Sequence, residues 1–173
     1  KSMQKKDESY PLLSWQPTGK ILSFIREHKG QIQLGLYTIE TKKTDFSNIF
    51  YFDKILDYSY SDDGQVFVLS GIQKGLTDIY VFNLRARTAE QITKDYYDDL
   101  HPRFVSNSHD IIFSSNRSSD TLFADQKYVY PKPATFDLFM YDYRNKNYVL
   151  RRLTNTPLAN ETYPMAYDNA HFT

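Results

Sequence analysis

The sequence predicts an all-β protein assembled from a repeated four-strand unit. Three observations point there: an aromatic-rich composition, apolar runs bounded by tight-turn residues, and a repeat near 44 residues. Aromatic side chains make up 16% of the 173 residues, with 15 Tyr and 12 Phe, and such side chains pack well on a pleated surface. Helical periodicity does not compete. The nearest window, "SFIREHKGQIQLGL" (23–36), is interrupted by Gly30 and Gly35.

The repeat emerges on aligning the aromatic residue that precedes a turn. Trp15 in "LLSWQPTGK", Tyr60 in "DYSYSDDGQ" and Phe104 in "HPRFVSNSHD" are spaced by 45 and 44 residues. A fourth copy begins at "TYPMAYDNAHF", where Pro164 matches Pro102 and Ala166 takes the aromatic position, 62 residues after Phe104. Most of that excess is an insertion.

Each unit then runs in the same order. A short first strand ends in "QPTG", "SDDG" or "SNSHD", whose Gly and Asn suit the positive backbone angles of tight turns. Second strands follow as "KILSFIR", "QVFVLSG" and "DIIFSSNR", and third strands as "IQLGLYTI", "TDIYVFNL" and "FDLFMYDY". The fourth strands, "FSNIFYF", "AEQIT" and "NYVLRRLT", are the least regular. Four strands per unit at this period mark a propeller blade. The expectation is a partial β-propeller of four-stranded antiparallel blades near 10–53, 54–98 and 99–160, with another started at 161–173.

The units resemble the TolB-type propeller repeat, on the strength of "SYSDDG" (59–64), "FSSNR" (113–117), "DIYVFNL" (78–84), "DLFMYDY" (137–143), "QIT" (91–93) and "RLT" (152–154). The first unit departs most, with Gln33 where Asp78 and Asp137 stand and Gly35 in place of Tyr or Phe. The resemblance implies a non-catalytic module for protein–protein interaction or scaffolding in the bacterial periplasm or cell envelope. Its alternatives are the substrate-gating propeller of a prolyl-oligopeptidase-type serine peptidase and a glycan-binding propeller. The opening "KSMQKKDESYPLL" and the ending "YPMAYDNAHFT" read as cuts inside a longer polypeptide. Unpaired outer edges and faces would then favour self-association.

Motifs for chemistry are scarce. Lys plus Arg equals Asp plus Glu, 21 against 21, which argues against a nucleic-acid partner. No apolar run approaches the roughly 18–20 residues of a membrane span. The chain has no Cys, so disulfides and thiolate metal sites are excluded. His28, His101, His109 and His171 do not fall at metal-ligand spacing, and His101 and His109 read as exposed turn residues. "GIQKG" (71–75) lacks the second half of a phosphate-binding loop, and no Gly-x-Ser-x-Gly occurs. No catalytic residue, metal or cofactor is expected. Arg117 is expected to pair with a carboxylate such as Asp137 across its blade.

The remaining features lie on one side of the disc. With strand direction alternating, second-to-third loops and blade links share a face. The insertion, about 119–134, is a second-to-third loop, whereas "DYYDD" (95–99) and "NTPLANE" (155–161) are links. "DYYDD" reads as a solvated connection; its clustered carboxylates offer at most a weak cation site. "YVYPKP" favours extended backbone, and long loops in compact domains are often functional. Tyr128, Tyr130 and Lys132, with Tyr96, Tyr97, Asp98 and Asp99, are therefore the expected contacts to a protein partner, the alternative being a loop folded back over a blade edge.

Overall fold

The computed structural model describes residues 11–120, 122, 135–146, 149–166, 171 and 173. Twelve strands are assigned among them and no helix, grouped into three four-stranded antiparallel sheets. The first sheet contains β1 (Leu12–Trp15), β2 (Ile21–His28), β3 (Gln31–Thr38) and β4 (Lys43–Ile49). The second contains β5 (Lys54–Tyr60), β6 (Val66–Gln73), β7 (Leu76–Asn83) and β8 (Thr88–Gln91). The third contains β9 (Asp99–Phe104), β10 (Asp110–Ser115), β11 (Asp137–Asp142) and β12 (Arg151–Arg152). Every sheet pairs in chain order. The first strands β1, β5 and β9 pack against one another in succession, which makes them the inner strands of an arc of blades. This is a partial β-propeller.

Turn chemistry fixes the registers. The β2–β3 and β6–β7 hairpins both close on Lys-Gly, and Lys29, Gly30, Lys74 and Gly75 all have positive φ. That is the two-residue turn whose twist matches paired strands. Each β3–β4-type turn also ends on a basic residue at positive φ: Lys42, Arg87 and Lys146. Two inner strands carry a bulge, at Leu56 in β5 and at His101–Pro102 in β9. Proline has no N–H to lose from the ladder, so it is tolerated in such an irregularity.

The fourth strands differ from expectation. Pairing continues outward from the turn at Lys42, so β4 spans Lys43–Ile49 and releases Phe50–Phe52 into the link. In the third blade only Arg151–Arg152 pairs as β12, and residues 147–148 of the expected strand lie outside the described residues. The start of a fourth unit is present as a two-way backbone pairing of Met165 with Thr173.

Apolar side chains are buried mainly between blades. Ile25, Ile32 and Leu34 of the first blade meet Tyr58, Tyr60, Phe67, Tyr80 and Phe82 of the second. Val68, Ile79 and Val81 on the other side of the second blade meet Ile111, Phe113, Phe139 and Tyr141 of the third. Each such large side chain, once buried, contributes about 1.5–3 kcal/mol. Gly35 explains why the first unit tolerates its departure. A Cβ there would come within 2.3 Å of the Phe24 ring, so Phe24 lies over the glycine where the other blades carry Tyr80 or Phe139.

Candidate interaction face and a buried acidic node

Two recurring motifs, the Asp that opens the third strand and the Thr that ends the unit in the second and third blades, turn out to be one device. Asp78 Oδ1 accepts a hydrogen bond from the Thr93 hydroxyl at 3.3 Å, and the Ile79 amide donates to Thr93 Oγ1 at 2.9 Å. In the third blade, Thr154 donates to Asp137 Oδ1 at 3.2 Å, and the Leu138 amide donates to Thr154 Oγ1 at 2.8 Å. The pair pins the departing link to the third strand. In the first unit, Gln33 replaces the aspartate, accepting from Arg26 Nη2 at 3.0 Å and donating to Asn48 Oδ1 at 3.1 Å.

The two aspartates have opposite electrostatics. Arg152 hydrogen-bonds Asp137 Oδ2; burial alone would raise the acid, but this cation and the Thr156 amide hold its pKa below the ordinary value. Asp78 has neutral Gln91 instead, whose Nε2 donates at 3.0 Å. Burial, reinforced by repulsion from Asp99 and Asp95, pushes Asp78 up to about 7.

Arg117 does not pair with Asp137 as expected. It lies two residues beyond the end of β10, where the link from the second blade passes, while Asp137 is already held by Arg152. Its Nη2 donates to both oxygens of Asp99 at 3.0 and 2.8 Å and lies 3.2 Å from Asp95. Nε donates to Ser115 Oγ at 2.9 Å, and the guanidinium stacks near the Tyr97 ring. Burial works against its charge, but the Asp99 and Asp95 carboxylates outweigh that and raise its pKa. Asp95 is itself raised, by burial and then by Asp99. Asp78, Asp95 and Asp99 bring carboxylate oxygens within 4.8 Å of one another. The cation beside them is Arg117, so the acidic cluster fixes the second blade to the third.

This changes the expected contact residues. Tyr97 and Asp99 are buried, Tyr97 bonding Ser118 Oγ at 2.7 Å, so neither is available to a partner and the link is not simply solvated. Their polar neighbours in sequence concealed the charge that arrives from Arg117. Asp98 is half-buried, its carboxylate accepting from Asn116 at 3.1 Å. Tyr96 is exposed. Tyr128, Tyr130 and Lys132 lie outside the described residues. His109 is exposed, but His101 is half-buried at a positive φ and stacks on Tyr163 with ring centroids 3.6 Å apart. Its burial, against the attraction of Asp57, lowers its pKa.

The antiparallel topology gathers the links at residues 50–53, 92–98 and 153–160 on one face, with the β2–β3 and β6–β7 hairpins. Each link leaves a large apolar side chain in water: Phe50 is 82% exposed, Tyr96 44% and Leu158 98%. Only Tyr96 belonged to the expected contact set. Phe50 and Leu158 were missed because an isolated apolar residue in a link reads as packing until the fold places it. Among the described residues no helix is long and apolar enough to cross a membrane.

Three sheets in sequential arc, inner strands together, define a β-propeller protein. Its fold is similar to that of TolB from Acinetobacter baumannii, with a TM-score of 0.61 at 18% identity over 86% of this chain and 32% of that one. It is also similar to a putative TolB from Agrobacterium tumefaciens, with a TM-score of 0.61 at 15% identity over 84% of this chain and 50% of that one. A structure from a study of two prolyl endopeptidases gives a TM-score of 0.59 at 9% identity, over 89% of this chain and 23% of that one. The chain thus spans a third to a half of the TolB structures. No family model matches the sequence, and no curated protein matches it.

Proposed function

We propose that the chain is a non-catalytic propeller module that recognises a protein partner on its link face, within a protein of the bacterial periplasm or cell envelope. The observation that carries this reading is the row of exposed apolar side chains, Phe50, Tyr96 and Leu158, presented by three successive links. Exposed apolar surface of this kind is favourable to cover. The connection between β10 and β11, which holds Tyr128 and Tyr130, leaves and re-enters its blade on the same face. The buried ion pairs of Arg117 with Asp95 and Asp99 anchor the link that carries Tyr96, and interfaces on pre-formed surfaces avoid ordering costs. The bacterial envelope placement is supported by the likeness to the two TolB structures.

The likeness to the prolyl endopeptidase structure favours a second reading, in which the same face would meet a catalytic domain rather than a separate protein. Site-specific photo-crosslinking addresses both. A crosslinking residue is placed at Phe50, Tyr96 or Leu158, and in parallel at exposed Glu40, Arg85 or Asn107 on the opposite face. The expected result is one discrete adduct from the link-face positions and none from the others. Adducts confined to the opposite face would reject the assignment. An adduct to a peptidase domain would select the second reading.

A further inference from the structure

The two seams between blades end differently at their outer strands. In the second seam a carboxylate bridges the blades. Glu90 on β8 accepts a hydrogen bond from the Tyr143 hydroxyl at 2.8 Å and pairs with Lys146 Nζ at 2.6 Å. Burial alone would raise this acid, but the two donors hold its pKa below the ordinary value. Register identifies the corresponding residues of the first seam. The row Ser59–Val68–Val81–Glu90 of the second blade matches Ser14–Ser23–Leu36–Asp45 of the first. Tyr143 and Lys146 of the third blade match Leu84 and Arg87 of the second, and both cations close their turns at positive φ.

No such bridge forms in the first seam. Asp45 is one methylene shorter than Glu90, and Leu84 has no hydroxyl to donate. Asp45, Arg85 and Arg87 are exposed, and their side chains make no ion pair or hydrogen bond among the described residues. A cavity of about 330 Å³ opens there instead, within the roughly 300–1,000 Å³ of small-molecule sites. It runs along β3 and β4 of the first blade, opposite β7 and the turn that follows it. Leu34, Leu36, Phe82 and Leu84 give it an apolar wall, and Arg85 and Arg87 stand at its margin. All of its lining belongs to the described residues of two complete blades. The cavity of the second seam is different: it lies at the inner turns beside Asp62, Asp63 and His109, with Tyr143 closing it outward.

We propose that the cavity of the first seam binds a small organic carboxylate with an apolar body. Its carboxylate takes the place that Glu90 occupies in the second seam, held by Arg87 and Arg85, and its body lies on Leu34, Leu36, Phe82 and Leu84. The second seam supplies the precedent within this chain: a carboxylate is what the turn cation accepts at that position. Arginine improves on lysine there, because its planar fork can donate two hydrogen bonds to one carboxylate. The apolar wall excludes a bare anion as the preferred ligand, since it would leave that surface in water. The site lies on the face opposite the links and does not depend on the partner reading.

Titration with octanoate, followed through the methyl resonances of Leu34, Leu36 and Leu84 in the carbon-13-labelled chain, tests this. Octanoate should shift these signals saturably. Octanol lacks the charge and acetate the body, so each should bind at least about tenfold more weakly. Arg85→Gln with Arg87→Gln should weaken octanoate by about tenfold or more with an unchanged circular dichroism spectrum. Asp45→Glu restores the length of Glu90, so its carboxylate should reach Arg87 and weaken octanoate as well. Absence of saturable shifts, octanol binding as tightly as octanoate, or an affinity unchanged by either set of substitutions would overturn the proposal. Phe50, Tyr96 and Leu158 are untouched by these variants, so failure here leaves the partner reading to its own test.

Discussion

Replacing Asp78 by Asn should flatten the pH dependence of stability. Asp78 is a buried acid raised from 3.8 to about 7, so between those values the folded chain holds a proton that the unfolded chain has released. Stability contributed by this group is complete below about pH 4 and is lost as pH rises through 7. The slope approaches about 1.4 kcal/mol per pH unit inside the window, and the whole loss is on the order of 4 kcal/mol. Asparagine copies the protonated acid. Its oxygen can keep the Thr93 hydroxyl and the Asp95 amide, and its amide can donate to Gln91 once that side chain turns its oxygen inward. Urea denaturation of both proteins from pH 4.5 to 8.5 reads the effect. The variant's stability relative to wild type should climb through the window and level off near pH 8, with a shallower slope remaining from Asp95, which is also raised. Two curves that run parallel across the range would refute the assignment of a raised acid to this position.

Two further predictions probe the seam between blades. Arg117→Leu strands the Asp99 carboxylate in the interior and should cost about 3–5 kcal/mol in chemical denaturation; a loss below 1 kcal/mol would mean that the node is hydrated. Ser70→Ala removes the donor to the buried Asp99 carbonyl and should cost about 1–3 kcal/mol. Ser114→Ala at the equivalent place in the third blade should be close to neutral, because its buried hydroxyl makes no hydrogen bond among the described residues. Equal losses at the two serines would contradict the difference seen between the blades.

The blade repeat was legible because local rules and the global fold agree in it. Trp15, Tyr60 and Phe104, aligned by spacing alone, occupy the same row of successive sheets and pair with Leu22, Phe67 and Ile111. The Asp and Thr motifs were visible as text, but their mutual hydrogen bond was not. It joins residues 15 apart in one blade and 17 in the other. Cross-strand register points Arg117 toward the third strand of its blade, whereas the nearer carboxylates are Asp99, which opens the first strand of that blade, and Asp95 of the link before it. "DYYDD" looked solvated for the same reason. Burial of Asp99 depends on a guanidinium 18 residues away, and no local pattern encodes that approach. Exposure of Phe50 and Leu158 follows from where pairing of the fourth strands stops, and those strands have the least regular sequences in each unit.

Hydrogen exchange of the chain with and without its crosslinked partner, once purified, tests the link-face account most directly. Backbone amides at 50–53, 92–98 and 153–160 should slow together on binding, while the turns at 39–42, 84–87 and 143–146 keep their free-state rates. Slowing of those turns with the links unchanged would place recognition on the opposite face and contradict the account.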